Sequence, residues 1–167
     1  GDYIWLHARA RGVWNDDGNI VRTAGTIENI SAEKEAEQVQ REVLACIAAP
    51  GDTAVKIAQA LDKLCRYLNL QTAIVSHVTG DDFEVRYRSS DGAALGLNQV
   101  LALSDTICFD VYCGDVLQAF PDLARSTAVS HPARVRRGIE SYIGITIFVK
   151  GLRFGTLGFY AQHPRAP

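Results

Sequence analysis

The chain has 167 residues, of which 47% are hydrophobic and 22% charged, and its formal net charge at pH 7 is −2. This length predicts one full domain plus an extension, and the hydrophobic fraction is enough for a packed core rather than disorder. Acidic and basic residues are scattered without a basic stripe, which excludes nucleic acid as an expected partner, and the apolar runs are too short to span a membrane.

The first thirty residues predict two strands joined by a tight turn. Tyr3 to Val13 contains alternating apolar and polar positions, which is typical of a strand. Asn15 to Asn19 contains an Asp-Gly pair suited to a hairpin, and Ile20 to Ile27 has strand character again. Two strands do not make a stable domain alone. We therefore expect this hairpin to pair with an upstream part of a longer protein or with another chain.

Several hairpin positions match a known pattern: Trp5, Arg9 to Gly12, Asp17-Gly18, Arg22 and Gly25 to Ile27. They resemble the W, RG, DG, R and GT elements in the C-terminal strands of a PAS domain, so residues 1–30 are expected to be the end of such a domain. Asn29-Ile30-Ser31 stands where that family usually has Asp-Ile-Thr, and this departure predicts weaker coupling of the last strand to the following helix. The PAS ligand cleft would lie mostly upstream, so the resemblance implies no ligand here.

Residues 31–49 predict a connecting helix with Ser31 as its cap. A 4-3-4-3 spacing, typical of a coiled-coil seam, relates Ala32, Ala36, Val39, Val43 and Cys46. Two interpretations remain open. The helix packs this seam against its own domain, or it pairs with a second copy in a parallel dimer that carries a signal, with Ala36, Val39 and Val43 as the contact residues.

Residues 50–167 predict a second domain. An amphipathic helix runs to Leu68, and strands are expected at 72–78, 83–88, 100–103, 116–119, 141–149 and 153–161. A short helix is expected at 133–137, and the tripeptide Lys150-Gly151-Leu152 gives the last two strands hairpin spacing. Gly144, Gly155 and Gly158 interrupt these strands, which indicates that another group packs close to them. The expected fold class is α+β, with a central antiparallel sheet, helices on one side, and loops that close a cavity on the other.

A sequence pattern recurs through this second domain: Asp105-Thr106-Ile107-Cys108, His131-Pro132, Tyr142-Ile143-Gly144, Gly155-Thr156-Leu157 and His163-Pro164-Arg165. In this order it resembles the GAF domains of bacterial sensor proteins, and the resemblance covers roughly residues 45–165. It is specific for the fold and uninformative about the ligand, because one fold hosts many functions.

The resemblance also implies where a ligand would bind. In GAF relatives, ligands lie between the sheet and the loop–helix segments, which here contain the candidate pocket residues Asp105, Thr106, Cys108, Phe109, Tyr112, His131, Arg134, Tyr142, Ile143 and Phe159. Phe109, Tyr112, Tyr142, Ile143 and Phe159 would form the walls, while Asp105, Thr106, His131 and Arg134 would supply polar contacts. The alternative is that these side chains fill their own core and leave little or no cavity. The sequence identifies no cofactor.

The four cysteines predict free thiols in a reducing cytoplasm. They form no CxxC motif and no His/Cys spacing typical of zinc, and the histidines do not cluster, so no metal site is expected. Bilin-binding relatives attach the chromophore through a cysteine usually followed by histidine, and no such pair exists here. GAF-fold sulfoxide reductases use clustered cysteines, for which Cys108 and Cys113 are candidates. Asp105, Asp110 and Asp115 flank these thiols and would raise their pKa, so a buried free cysteine is the favoured interpretation.

Together, these resemblances imply a non-catalytic PAS–GAF fragment of a cytoplasmic signal-transduction protein. Its output would be a histidine kinase, a diguanylate cyclase or a similar domain in the same full-length chain. The fragment would bind a small molecule, form a homodimer through its connecting helix, or do both, without contacting a membrane. The alternatives are a thiol-based reductase that uses Cys108 and Cys113, a bilin-type photosensor, and a dimerisation module with no ligand.

Overall fold

The computed structural model describes residues 3–91 and 95–165. Its strands and helices are β1 (Leu6–Trp14), β2 (Ile20–Asn29), α1 (Ser31–Ala48), α2 (Thr53–Leu68), β3 (Thr72–Thr79), β4 (Asp82–Arg88), β5 (Val100–Ala102), α3 (Cys108–Gly114), β6 (Gln118–Phe120), α4 (Pro132–Arg137), β7 (Ser141–Val149) and β8 (Leu152–Ala161). Short 3-10 helices occupy Leu103–Asp105 and Leu123–Arg125. The chain divides into two units, Gly1–Arg41 and Glu42–Pro167.

The first unit contains the β1–β2 hairpin and the start of α1. The strands pair antiparallel from Leu6↔Asn29 to Trp14↔Ile20, and every side chain in both strands is exposed. The hairpin is joined to the helix by polar bonds. The Trp5 backbone N–H donates to Ser31 Oγ at 2.9 Å, and the Ser31 N–H donates to Asn29 Oδ1 at 3.0 Å. Asparagine at this position therefore still connects the strand to the helix, through its amide oxygen.

The second unit is built on a six-stranded antiparallel sheet with the order β5-β4-β3-β8-β7-β6. This arrangement confirms the α+β class and the predicted central antiparallel sheet. The strand predicted at 116–119 begins two residues later and ends one residue later, at Gln118–Phe120, where it pairs with β7 from Gln118↔Gly144 to Phe120↔Tyr142. In the part of the chain that the structure describes, no helix is long and apolar enough to cross a membrane.

Two apolar clusters pack on opposite faces of this sheet, because successive strand residues point to opposite sides. On one face, Leu61 and Cys65 of α2 pack with Ala73 and Phe159. The other face carries α3, α4 and the connecting loops, and its buried residues are Ile74, Val78, Phe83, Val85, Leu95, Leu103, Ile107, Cys108, Val111, Leu123, Ala133, Ile139, Tyr142 and Tyr160. The second cluster contains the region where the sequence predicts a pocket.

A close approach between β3 and β8 explains one of the strand glycines. Backbone pairing between these strands ends at Val75↔Leu157. Beyond that point, Ser76 Oγ accepts a hydrogen bond from the Thr156 N–H at 3.0 Å and lies 2.9 Å from the Thr156 hydroxyl. A Cβ on Gly155 would overlap the Ser76 carbonyl oxygen. Gly155 therefore confirms the expectation of a closely packed backbone.

Candidate functional site

The aromatic ring of Tyr142 lies on the sheet at the centre of the α3-side core. A Cβ added to Gly144 would overlap the Tyr142 hydroxyl, and one added to Gly158 would lie 3.3 Å from the ring. The ring can occupy this position only because residue 144 is glycine, whereas a Cβ at residue 158 would require the ring to shift by a few tenths of an ångström. These two glycines, like Gly155, mark close packing, and in this case the group that packs is a side chain of the same domain.

The Tyr142 hydroxyl reaches the thiol of Cys108 at the start of α3. It donates a hydrogen bond to Cys108 Sγ at 3.2 Å, and the Cys108 residue is only 2% exposed. Burial raises the pKa of the Cys108 thiol, and the nearby hydroxyls of Thr156, Tyr142 and Thr106 offset this only in part. Burial likewise raises the pKa of the Tyr142 phenol well above its usual value. Both groups therefore remain protonated and shielded from water at neutral pH.

The cavity beside this pair is small. Its volume is about 30 Å³ and it is lined by Ile74, Phe83, Leu95, Leu101, Thr106, Ile107, Cys108, Ala133, Arg137, Ile139, Tyr142 and Tyr160. A space of this size holds one or two water molecules, whereas pockets for drug-sized ligands and cofactors measure about 300–1,000 Å³. The cavity that residues 3–91 and 95–165 form here is therefore too small to hold a tetrapyrrole.

Two of the predicted polar contacts are engaged by the protein itself. The Thr106 hydroxyl donates to the Leu103 carbonyl at 2.7 Å, which closes the turn before α3. The Asp105 side chain is 47% exposed and pairs with Arg136 of α4 at 3.3 Å. The Asp105–Arg136 pair connects the segment before α3 to α4, whereas the Thr106 hydroxyl is used within that segment.

Arg134, the third predicted polar contact, joins segments of the same domain. Its guanidinium binds both carboxylate oxygens of Glu140, each at 3.1 Å, and donates to the Val129 carbonyl at 3.2 Å. Such two-point pairing fixes the geometry as well as the charge. Arg134 therefore fastens α4 to the segment that enters β7.

His131 caps α4. Its Nδ1 accepts a hydrogen bond from the Ala133 N–H at 3.1 Å, and the next residue, Pro132, occupies the first turn, as is common at helix starts. Burial lowers the pKa of His131, and the nearby carboxylates of Asp110 and Asp105 act in the opposite direction. The cap requires a neutral imidazole, because a protonated Nδ1 has no lone pair to accept the bond.

We expect the His131 cap to make the stability of the domain fall below neutral pH. Above the ordinary histidine pKa of about 6.5, the imidazole is neutral in both states and its contribution is fully present. As the pH falls through 6.5 toward the lower folded-state pKa, only the unfolded chain gains a proton, so the free energy of unfolding decreases. Urea unfolding between pH 7.5 and 5 checks this.

The matched control for that titration is His131→Asn, which keeps a good capping group that does not titrate. We expect its slope of unfolding free energy against pH to be smaller than that of the unsubstituted chain by up to about one proton. Equal slopes for the two proteins would show that His131 does not contribute to the pH dependence.

Four predicted wall residues are placed differently from one another. Tyr112 is partly buried and packs against the α3-side core, whereas Phe109 is 40% exposed. Ile143 and Phe159 pack on the α2 side of the sheet. The expectation that Ile143 and Phe159 share a cavity wall with Tyr142 is therefore wrong. Tyr142 and Ile143 are consecutive strand residues and point to opposite faces of the sheet.

Sequence analysis missed several residues that do line the cavity, chiefly Phe83, Ile74 and Tyr160. A signal for Phe83 was present, because Phe83 and Val85 alternate with exposed or half-buried residues along β4 and both are fully buried. The alternation along β4 therefore identifies which of its faces points inward, but the sequence does not show which helices cover that face.

Two larger recesses lie away from this core. One of about 690 Å³ lies where α2 ends, next to β3 and β8, and includes Asp62, Arg66, Asp91 and His163. The other, of about 280 Å³, lies at the β6–β7 edge. Within residues 3–91 and 95–165, no group of three or more His, Cys, Asp or Glu side chains could hold a metal ion.

Comparison with known proteins shows the fold. No family model matches the chain, and no curated protein does. Among solved structures, the nlh2 GAF domain of A. aeolicus in an inactive state matches with a TM-score of 0.62 and 14% identity, covering 79% of this chain and 82% of that one. The phycocyanobilin-bound GAF domain of a cyanobacterial phytochrome matches with a TM-score of 0.60 and 16% identity, covering 78% and 82%.

An enzyme is also among the similar structures. The free methionine-R-sulfoxide reductase of Neisseria meningitidis, in complex with its substrate, has a TM-score of 0.61 and 14% identity, covering 78% of this chain and 77% of that one. At these identities the likeness establishes a GAF fold and nothing about activity, because the same fold carries both binding and catalytic proteins.

Proposed function

We propose that this chain is a non-catalytic regulatory fragment of a cytoplasmic signal-transduction protein. In this proposal, a PAS-derived hairpin and a connecting helix precede a GAF domain, and a homodimer relays a signal to a histidine kinase, diguanylate cyclase or similar output. The observation that carries the proposal is helix α1. It is one continuous helix of 18 residues that begins in the first unit and ends in the second.

Helix α1 also leaves apolar side chains without cover. None of its residues is fully buried, and Leu44 and Ile47 are 60% and 46% exposed. Val39 and Val43 are half-buried. Covering such side chains with a second copy would remove apolar surface from water, at a gain of about 25 cal/mol per Å². This favours the parallel dimer over a helix that serves only its own domain.

The thiols do not favour the reductase alternative. Cys108 is buried and Cys113 exposed, although both lie on α3. Residues five apart on an α-helix are separated by about 500°, which places them about 140° apart around the axis. A disulfide between them would require α3 to unwind. The raised pKa of Cys108 also opposes formation of the thiolate that a redox nucleophile needs.

We expect Val39→Lys to convert a dimeric chain into a monomer, since a charge in a helix seam must be desolvated for the seam to close. The dimer dissociation constant should rise by about tenfold or more, measured by sedimentation equilibrium over a concentration series. The matched control is Ala45→Lys, which adds the same charge at an exposed position on the opposite side of the helix from Val39, Val43 and Ile47 and should leave the dimer unchanged. An unsubstituted chain that sediments as a monomer, or equal weakening by both variants, contradicts the dimer.

The non-catalytic part of the proposal has its own test. The chain should show no dithiol-dependent reduction of free methionine sulfoxide. Turnover that is present in the unsubstituted chain and lost in Cys108→Ser would overturn it in favour of the reductase.

A further inference from the structure

Three arginines lie on one face of the β1–β2 hairpin. Successive strand residues point to opposite faces, so Arg9 and Arg11, two residues apart on β1, share a face. Arg22 of β2 lies opposite Val13, which belongs to that same face. The pairing is regular as far as this position, because the register shift follows Val13. We call Arg9, Arg11 and Arg22 the arginine cluster, and all three are exposed.

The arginine cluster surrounds a small residue, Ala24. Arg11 lies directly opposite Ala24 across the strand pair, and Arg22 is two residues earlier on β2. Arg9 is opposite Thr26 and is therefore diagonal to Ala24. Directly opposite residues have Cβ atoms about 4.5–5.5 Å apart, and diagonal neighbours are about 7–8 Å apart. Because the Ala24 methyl group is short, the surface between the three guanidinium groups is open.

The positive charges of this cluster are not balanced. Among residues 3–91 and 95–165, no carboxylate forms an ion pair with any of the three arginines. A side-chain hydrogen bond runs from Arg9 Nε to His7 Nε2, at 3.4 Å. Within the paired residues 7–13 and 22–28, the acid on this face is Glu28, which is opposite His7 and therefore next to Arg9 alone. Like charges close together across two strands destabilise a sheet, so the stability of the hairpin does not explain why three arginines meet here.

A phosphate group matches this arrangement. Guanidinium groups bind phosphate through two parallel hydrogen bonds. A phosphate monoester offers three terminal oxygens and a charge of about −1.5 to −2 at pH 7, which three donors placed around one point can share. A carboxylate has two oxygens and a single charge, so it would neutralise one arginine and leave the other two close together.

We propose that the surface at Ala24, enclosed by the arginine cluster, is a binding site for a phosphate monoester. All of its residues belong to the hairpin, so the site needs neither the second domain nor a second copy of the chain. It goes beyond the proposed regulatory function, because the hairpin then binds a phosphorylated ligand in its own right.

The test titrates the full 167-residue chain with glycerol 3-phosphate at constant ionic strength and follows backbone amide resonances by NMR. We expect saturable shifts at Arg11 and Ala24, with a dissociation constant of about 1 mM or lower, and no comparable shift at Ala73 of β3. The comparison compound is dimethyl phosphate, a diester with one charge, which should bind at least about fivefold more weakly.

A tripeptide with a central phosphoserine distinguishes the two sources of such a phosphate. If the natural ligand is a phosphorylated protein, the tripeptide should bind more tightly than glycerol 3-phosphate, because its backbone adds contacts along the strands. If the natural ligand is a small phosphate ester, glycerol 3-phosphate should bind at least as tightly as the tripeptide.

Substitutions separate this site from general attraction to a basic surface. Ala24→Glu places a carboxylate between the arginines and should remove saturable binding, whereas Ala24→Gln, which has the same size without the charge, should retain the affinity within about threefold. Arg11→Gln should weaken binding by about tenfold, because a hydrogen bond between charged groups is lost. Its matched control is Arg125→Gln, which removes an exposed arginine from the second unit and should leave the affinity unchanged.

Saturable binding that is lost in Ala24→Glu, retained in Ala24→Gln and weakened in Arg11→Gln supports the site. An unsubstituted chain without saturable shifts up to tens of millimolar glycerol 3-phosphate overturns it. Equal affinities for the monoester and the diester, or equal losses in Arg11→Gln and Arg125→Gln, also overturn it, because the arginines then attract anions only through their general charge. Such a failure would leave the dimer test unaffected, since that test measures mass rather than ligand binding.

Discussion

Gly155→Ala should be among the most destabilising single substitutions in this domain, lowering the free energy of unfolding by about 3 kcal/mol. The added Cβ would overlap the Ser76 carbonyl oxygen and approach the His77 Cα to 3.0 Å. These are backbone atoms of the central strand β3, so no flexible side chain can move aside. Relief would require β3 and β8 to separate, which would also strain the buried hydrogen bond between Ser76 and Thr156. Urea unfolding followed by circular dichroism measures the loss.

The matched control for this substitution is Gly96→Ala. A Cβ there meets nothing closer than 3.8 Å, and the backbone is not in the left-handed region. Its effect should stay within about 0.5 kcal/mol, or be slightly stabilising because alanine restricts the unfolded chain. If both alanine variants lose the same stability, close packing at Gly155 is not the cause.

Phe83→Ala should cost about 3–5 kcal/mol of unfolding free energy, because it leaves a cavity in a core that cannot fully close. Phe83 is completely buried and lines the small space beside Tyr142. Thermal and urea unfolding should both show the loss.

Phe109→Ala is the control that distinguishes the sequence-based pocket from the observed one. Phe109 is 40% exposed, so its truncation should cost about 1 kcal/mol or less. If Phe109→Ala were as damaging as Phe83→Ala, then Phe109 would belong to the buried core, and the arrangement of α3 described above would be wrong.

Local patterns were sufficient to predict much of the architecture. Helix α1, the closing β7–β8 hairpin and the short strand β5 follow from apolar spacing and turn residues, and each occurs where the sequence indicates it. The glycines in β7 and β8 were correctly interpreted as places of close packing. The groups that pack against these glycines, the Tyr142 ring and the Ser76 backbone, could not be predicted. The folded chain brings them close to the glycines, whereas sequence patterns show only neighbours along the chain.

The candidate site was harder to predict, for physical reasons. Family resemblance selected Tyr142 and Ile143 together, although the alternation of a strand separates them onto two faces. It also selected His131 and Arg134 as ligand contacts, whereas His131 caps α4 and Arg134 binds Glu140. A polar residue near a pocket can serve the backbone or another side chain, and only geometry distinguishes these uses.

Strand β6 is much shorter than its neighbour β7, which affects how copies of this domain can contact one another. Strand β6 covers β7 only from Tyr142 to Gly144, while β7 continues to Val149, so β6 leaves the outer backbone edge of that extension uncovered. Such an edge can recruit a strand from another molecule and begin an aggregate. Lys150 directly follows this stretch of β7 and places a positive charge at its end. Charged side chains at an exposed strand edge disfavour the addition of a strand from another molecule, so Lys150 opposes such pairing where β6 is too short to cover the edge.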